Sequence, residues 1–430
     1  MESKIKKFPS RAARLFAAMF VFFALQSYAV QGMAAPVLSL EDCLAIAQAN
    51  HPSIAGAEAS IVSGRGQLAR TVASDRLTAT GDVSTSRTGA EHGEASSFSM
   101  GATVSVKIFD ANRNKYAVDS ARYSLSATDE DARRTATEVR SNVKSSYMTL
   151  LLNHETARQR LESVRAFERH LEQAKGLYES GSKPWYDVTK AEVDLGNAQL
   201  AFVEAEGGIE TAKAALLNAM GIDQSEEFDI APVDLDAASA PEWTGDEAMR
   251  QALENRPDYK SSALKIMAGQ ANLSSEARAS SPTLSLTGGY SGSGNDISDL
   301  ERGWNVGLRM SAPIADGGAE KARVESARGQ VMSLEASHEK LRQDIMLEVR
   351  KAQSDITKAR ERIRISEITL TSAEENRKMA VGRYETGIGD PLEVTDALLS
   401  YADAMLSNRQ AKYDLQLAII GLERAMGTER

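Results

Sequence analysis

The chain has 430 residues, 42% of them hydrophobic, with ten prolines, one cysteine and a formal net charge of −10. An acidic balance of this kind excludes nucleic acid as a partner, because that would need a clustered basic face. A single cysteine excludes an internal disulfide; Cys43, within Leu40-Glu-Asp-Cys43-Leu44, lacks the small residues of a lipidation box and reads as a buried helical thiol.

Residues 1–35 read as a secretory signal. Lys4, Lys6, Lys7, Arg11 and Arg14 form a cationic start, the run Leu15 to Leu25 is apolar, and small residues cluster at Ala29 and Gly32-Met33-Ala34-Ala35. An apolar run of about eleven residues is too short to span a ~30 Å hydrocarbon core. Removal of the signal takes away five basic residues and Glu2 and leaves a net charge of −14. No later segment holds the ~18 continuous apolar residues of a membrane helix, so any membrane crossing must use strands.

The mature chain is a tandem duplication. Ser39-Leu-Glu-Asp-Cys-Leu-Ala-Ile-Ala-Gln-Ala-Asn-His51-Pro52 recurs 205 residues later as Thr244-Gly-Asp-Glu-Ala-Met-Arg-Gln-Ala-Leu-Glu-Asn-Arg256-Pro257. At an offset of 206, Phe98-Ser-Met-Gly101 matches Trp304-Asn-Val-Gly307 and Asp110 matches Asp316. Asp119-Ser-Ala-Arg122 matches Glu325-Ser-Ala-Arg328, and Tyr178-Glu-Ser-Gly181 matches Tyr384-Glu-Thr-Gly387. The copies are expected at 36–221 and 243–430, joined by an acidic linker, 222–242, that holds Pro232 and Pro241.

Each copy reads as a short helix, a helix, a hairpin, a very long helix, a turn and a last helix. Proline falls at boundaries: Pro52 and Pro257 separate the first two helices, and Pro184 and Pro391 restart the chain after the Gly181 and Gly387 turns. Between 113 and 183 there is no proline, and Val139, Val143, Tyr147, Leu150 and Leu151 mark one helical face. Long helices are expected at about 113–179 and 319–385, each ~100 Å at 1.5 Å per residue, followed by helices at about 185–220 and 391–426. Such helices pack as coiled coils.

The hairpins are expected at about 77–109 and 283–314. Phe98, Met100, Ala102, Val104, Val106 and Ile108 alternate with Ser99, Gly101, Thr103, Ser105 and Lys107; Trp304, Val306, Leu308, Met310 and Ala312 alternate with Asn305, Gly307, Arg309 and Ser311. Runs of this length, apolar on one face and polar on the other, are the pattern of a transmembrane barrel strand. Polar stretches, Thr88 to Ser97 and Ser291 to Gly303, read as the loops between strands, with Phe98, Phe109, Tyr290 and Trp304 as interfacial rings. Lys107 and Arg309, on the polar face, are candidate lumen residues. Four strands leave open edges, which lipid does not tolerate, so copies of the chain must pool strands. The alternative is a periplasmic structural or adaptor-like coiled coil whose hairpins are soluble.

No constellation for catalysis or metal binding emerges. His51, His92, His154, His170 and His338 lack ligand spacing, and there is no phosphate loop or nucleophile elbow. Neither an enzyme, a cofactor nor a resident metal is expected.

Ala312-Pro313-Ile314-Ala315-Asp316-Gly317-Gly318 resembles the strand-exit motif of the outer-membrane efflux protein family, the TolC-like channels, with Ala315 in place of an aromatic that the first copy keeps as Phe109. Tyr384-Glu-Thr-Gly387 followed by Leu392-Glu393-Val394 resembles the family's helix-tip motif, and Tyr178 to Val188 is its first copy. The resemblance implies a mainly helical fold with a small β part: a homotrimer in the Gram-negative outer membrane, with a 12-stranded barrel closed only in the trimer and a helical tunnel across the periplasm. It implies the exit duct of an efflux pump or type I secretion system carrying drugs, metals or proteins, with a periplasmic adaptor and an inner-membrane pump or ABC transporter as partners. The tips at Gly181 and Gly387 would dock the adaptor. Asp187 and Tyr384 fall at the periplasmic gate, Glu393 and Asp396 at an acidic constriction, and Gly389 where better-known members carry a basic gate residue. Independently of the resemblance, Glu393 and Asp396 project from one helix face, and repeated by symmetry they would form a ring favouring cations.

Overall fold

The computed structural model describes residues 36–90, 93–225, 227–233 and 243–428. The expected signal and His92 lie outside the described residues. In chain order the elements are β1 (Val37–Leu38), α1 (Leu40–Asn50), α2 (Pro52–Ala73), β2 (Thr78–Ala90), β3 (Gly93–Phe109), α3 (Arg113–Glu179) and α4 (Trp185–Met220). They are followed by β4 (Asp229–Ile230), α5 (Gly245–Asn255), α6 (Pro257–Glu276), β5 (Thr283–Gly294), β6 (Glu301–Ser311), α7 (Ala319–Glu385) and α8 (Pro391–Met426). The protein is thus mainly helical with a small sheet. Helices α3 and α7 have 67 residues each and α4 and α8 have 36 each, so the pairs match in length as well as in register.

Two compact units form, and they do not follow the tandem copies. One takes the described residues up to Ala55, Thr135–Glu254 and those from Met346 on; the other takes Gly56–Arg134 and Asn255–Ile345.

The first unit is helical. Helix α1 begins with a capping box: Asp42 N–H donates to Ser39 Oγ (3.2 Å) while Ser39 N–H donates to Asp42 Oδ2 (3.0 Å). Its buried face, Cys43 and Ala47, packs on Val143, Tyr147 and Leu150 of α3, Leu216 and Met220 of α4, and Phe228. Each large side chain fully buried here contributes about 1.5–3 kcal/mol of transfer free energy. Burial pushes the Cys43 thiol up to about 11, as expected for an inert core thiol. The Tyr147 hydroxyl donates to Ala231 O (2.7 Å) and Leu38 O (3.2 Å), pinning the short parallel bridge of β1 and β4 to the long helix.

The second unit contains the four-stranded antiparallel sheet, order β2-β3-β5-β6, together with α2, α6 and the first parts of α3 and α7. Its helices are tied by side-chain bonds: Ser120 Oγ donates to Ala268 O (2.9 Å), Ser275 Oγ to Arg113 O (3.1 Å), and Asp258 accepts from both Arg256 and Arg134. The two hairpins join through β3 and β5, with a register shift between Lys107 and Phe109.

One sequence expectation is corrected. The stretches read as loops are largely strand: β2 runs to Ala90 and β3 starts at Gly93, while β5 runs to Gly294 and β6 starts at Glu301. Polar residues here signal a ladder that continues with water on both faces, not a break. Ser84–Ser99 and Ser86–Ser97 hydroxyl pairs, both 2.9 Å, add cross-strand support of the kind Ser and Thr give in sheets.

Candidate channel surfaces and a candidate gate

The sheet presents two unlike faces. Cross-strand rows Ala102–Tyr290–Trp304, Val104–Gly288–Val306 and Val106–Leu286–Leu308 lie on one face, and Trp304 (78%) and Met310 (70%) are among its most exposed apolar side chains. Rows Ser84–Ser99–Ser293–Glu301 and Thr103–Gly289–Asn305 lie on the other. Lys107 and Arg309 share a row on that polar face, flanking Ser285. Lys107 is tied to Asp75 (3.0 Å) and approaches Asp110 (4.0 Å), whereas Arg309 is exposed. Among the described residues, β2 and β6 each have one edge without a strand partner. An apolar face with raw strand edges is not a stable end state in water or in lipid.

In the helical unit, both hairpin turns use one hydrogen-bond scheme. Gly181 N–H donates to Tyr178 O (2.9 Å) and Lys183 N–H to Leu177 O (3.2 Å); Gly387 N–H donates to Tyr384 O (3.0 Å) and Gly389 N–H to Arg383 O (2.9 Å). Gly181 (φ +75°) and Gly387 (φ +77°) occupy the left-handed region that a side chain disfavours, and both are exposed.

Between these turns lies a buried polar cluster. Tyr384 is fully buried beside Phe167, Val394 and Leu398, and its hydroxyl donates to Asp187 Oδ2 at 3.4 Å, long for an O–H···O bond. Burial, helped by the Asp187 charge, pushes the Tyr384 phenol up to about 12. Asp187 stands in the first turn of α4, where the helix dipole favours a carboxylate. Two turns further along α4, buried Asp194 accepts from Lys190 (2.5 Å) and from Thr395 of α8 (2.8 Å). His170 packs its ring 5.3 Å from that of Tyr384; it is buried with no partner on Nδ1, and burial pulls its pKa down against the opposing pull of Asp194 and Asp187.

The structure therefore brings Asp187 and Tyr384 together and leaves Glu393 and Asp396 elsewhere. Both acids are on the exposed side of α8, whose buried side carries Val394, Thr395, Ala397 and Leu398; Glu393 lies 3.6 Å from Arg383. Sequence reasoning missed Asp194, Thr395 and His170. One signal was available: Asp187 and Asp194 are seven residues apart, on the same helical face as the apolar Val188 and Ala191.

The model of the outer membrane efflux protein family matches residues 44–222 and again 248–428. The chain belongs to that family. Protein CyaE of Bordetella pertussis is 24% identical over 322 residues, covering 74% of this chain and 68% of CyaE. Cation efflux system protein CusC of Escherichia coli K12 is 25% identical over 342 residues, covering 75% and 70%. A crystal structure of CusC superposes with a TM-score of 0.83 at 22% identity, over 93% of this chain and 96% of that one. As an outer membrane efflux protein, the chain is an outer-membrane exit channel whose helical part extends into the periplasm, and the soluble coiled-coil alternative falls. The two matched ranges fall one in each half of the chain.

Proposed function

We propose that three copies of this chain assemble, after loss of a leader over 1–35, into a passive, non-enzymatic duct. Each copy of the chain supplies four strands to a 12-stranded barrel, and the two tandem halves, 36–221 and 243–430, supply equivalent helical hairpins linked by 222–242. The single observation that carries this reading is the four-stranded sheet with an exposed apolar face and unpartnered β2 and β6 edges, which needs neighbours of its own kind. Energy comes from an inner-membrane pump or ABC transporter, coupled through a periplasmic adaptor that docks at the Gly181 and Gly387 turns. Tyr384 and Asp187 act as the periplasmic gate. Glu393 and Asp396 form an acidic constriction, and Lys107 and Arg309 face the barrel lumen.

The test is assembly and conduction. Outer membranes extracted with detergent should yield a crosslinkable trimer that conducts ions in planar bilayers; monomer recovered in a periplasmic wash would overturn the proposal. In the same bilayers, Glu393→Gln with Asp396→Asn should weaken cation preference, and an unchanged reversal potential would remove the constriction from the scheme.

A further inference from the structure

The repeat places Lys183 and Gly389 at equivalent positions, 206 residues apart, one in each hairpin turn. Their roles are not equivalent. The Lys183 ammonium crosses from the first turn to the second, donating to the carbonyl oxygen of Gly389 at 2.8 Å. The same ammonium stands 5.3 Å from the centroid of the Tyr384 ring, within range of a cation–π attraction. The reverse arrangement is closed off: a Cβ on Gly389 would lie 2.7 Å from the Tyr384 nitrogen and 3.0 Å from Arg383 C, both backbone atoms. As the second turn stands, position 389 has no room for a side chain, and the cation serving both turns comes from the first copy. The bond from Tyr384 to Asp187, at 3.4 Å, is too long to hold the turns strongly by itself.

We propose that Lys183 is the fastening residue of the gate, a positioning group that holds the second turn, and with it the Tyr384 ring, against the first. This inference rests on the reading of Tyr384 and Asp187 as the gate. A charge-assisted bond to a carbonyl is stronger than a neutral one, and it can be lost without disturbing the apolar packing around Tyr384. Loss of the ammonium then shifts closed channels toward open ones while the assembly stays intact.

The experiment uses full-length trimers in planar bilayers, comparing wild type with Lys183→Met, which keeps the stem and removes the charge, and with Tyr384→Phe. Lys183→Met should raise the time-averaged conductance about tenfold, the shift expected from losing one charge-assisted contact in a two-state closure. Lys183→Arg should stay near wild type, and the trimer's resistance to SDS and heat should be unchanged in both. Lys183→Gln, which keeps an N–H donor, should give a smaller rise and serves if the methionine variant does not assemble. Wild-type conductance in the Lys183 variants with a raised value in Tyr384→Phe would overturn the fastening role and leave the gate. Wild-type conductance in all of them would remove the gate and the fastening role together.

Discussion

Tyr178 and Tyr384 end the two 67-residue helices at equivalent positions and have opposite surroundings. Tyr178 is 44% exposed and rests edge-on against Trp185, while Tyr384 is fully buried and reaches Asp187. The acids show the same split: Asp187 is buried, and its equivalent Glu393 is exposed. The hydrogen-bond schemes of the two turns match, although Lys183 carries a Cβ where one on Gly389 would meet the Tyr384 backbone. The second copy's tyrosine is covered by the first copy's acid, whereas Tyr178 meets the Trp185 ring and stays exposed. Equivalent positions share a common frame and differ in the partner each is given.

The sharpest way to break the comparison is to make the turns alike. Gly389→Ala pushes a Cβ into backbone and should cost about 2–4 kcal/mol or prevent folding, whereas Lys183→Ala at the equivalent site should cost far less; thermal unfolding of the purified protein reads both. Next in size is the pair Tyr147 and Gln353, again equivalent. Tyr147→Phe removes the hydroxyl donor to Ala231 O, while Leu38 O keeps its bond from Ala231 N–H, and should cost about 1–2 kcal/mol, while Gln353→Ala loses only a 3.4 Å contact to Thr244 O and should stay within about 0.5 kcal/mol. Equal effects at the two sites would mean that the β1–β4 bridge does not depend on Tyr147.

The third comparison concerns pH. His170 has a folded pKa below its ordinary value, mainly through burial, so the unfolded chain takes up the proton more readily. Stability from this site is therefore full above the unfolded value of about 6.5 and is lost as pH falls below it, levelling once the folded value is passed. The equivalent residue is the exposed, non-titrating Asn376. His170→Asn should flatten the slope between pH 7 and 5 in a denaturant midpoint series; an unchanged slope would place the titration elsewhere.

The smallest effect is expected where sheet leads into helix. Ala111 and Asn112 take φ of 56° and 64°, where the second copy has Gly317 and Gly318 at 63° and 89°. Asp110 Oδ2 accepts from Asn114 N–H at 2.8 Å and Asp316 Oδ2 from Glu320 N–H at 2.6 Å, so the aspartate cap holds the turn in both copies. Ala111→Gly should relieve left-handed strain and raise stability by about 0.5–1 kcal/mol, and Gly317→Ala should lower it by a similar amount.

Much of the fold was legible because its signals are one-dimensional. Proline punctuation and a three-to-four-residue apolar spacing carry helix length, and period-two alternation from Phe98 and from Trp304 carries β3 and β6. The outer reaches of the hairpins were not legible, since Ser, Thr and Gly read as loop when they pair across a ladder exposed on both sides. The buried cluster was half legible. Asp187 and Tyr384 stood out through motif resemblance, but Asp194, Thr395 and His170 depend on which helix faces which. Nothing in the sequence marks Lys183, and only the approach of the Gly389 carbonyl distinguishes it.

Among the described residues the margins of β2 and β6 are bare, which bears on the life of the chain before the assembly proposed above. A freshly exported chain carries two open templates for strand addition and a greasy panel between them, at a stage when any encounter, with its own kind or with another protein, can zip onto it. Sequestration by a holding factor, or a meeting of siblings faster than any rival encounter, sets how much material survives. Overproduction should therefore exhaust the assembly route first and leave clumped chains in the periplasm, even though each helical half is soundly packed.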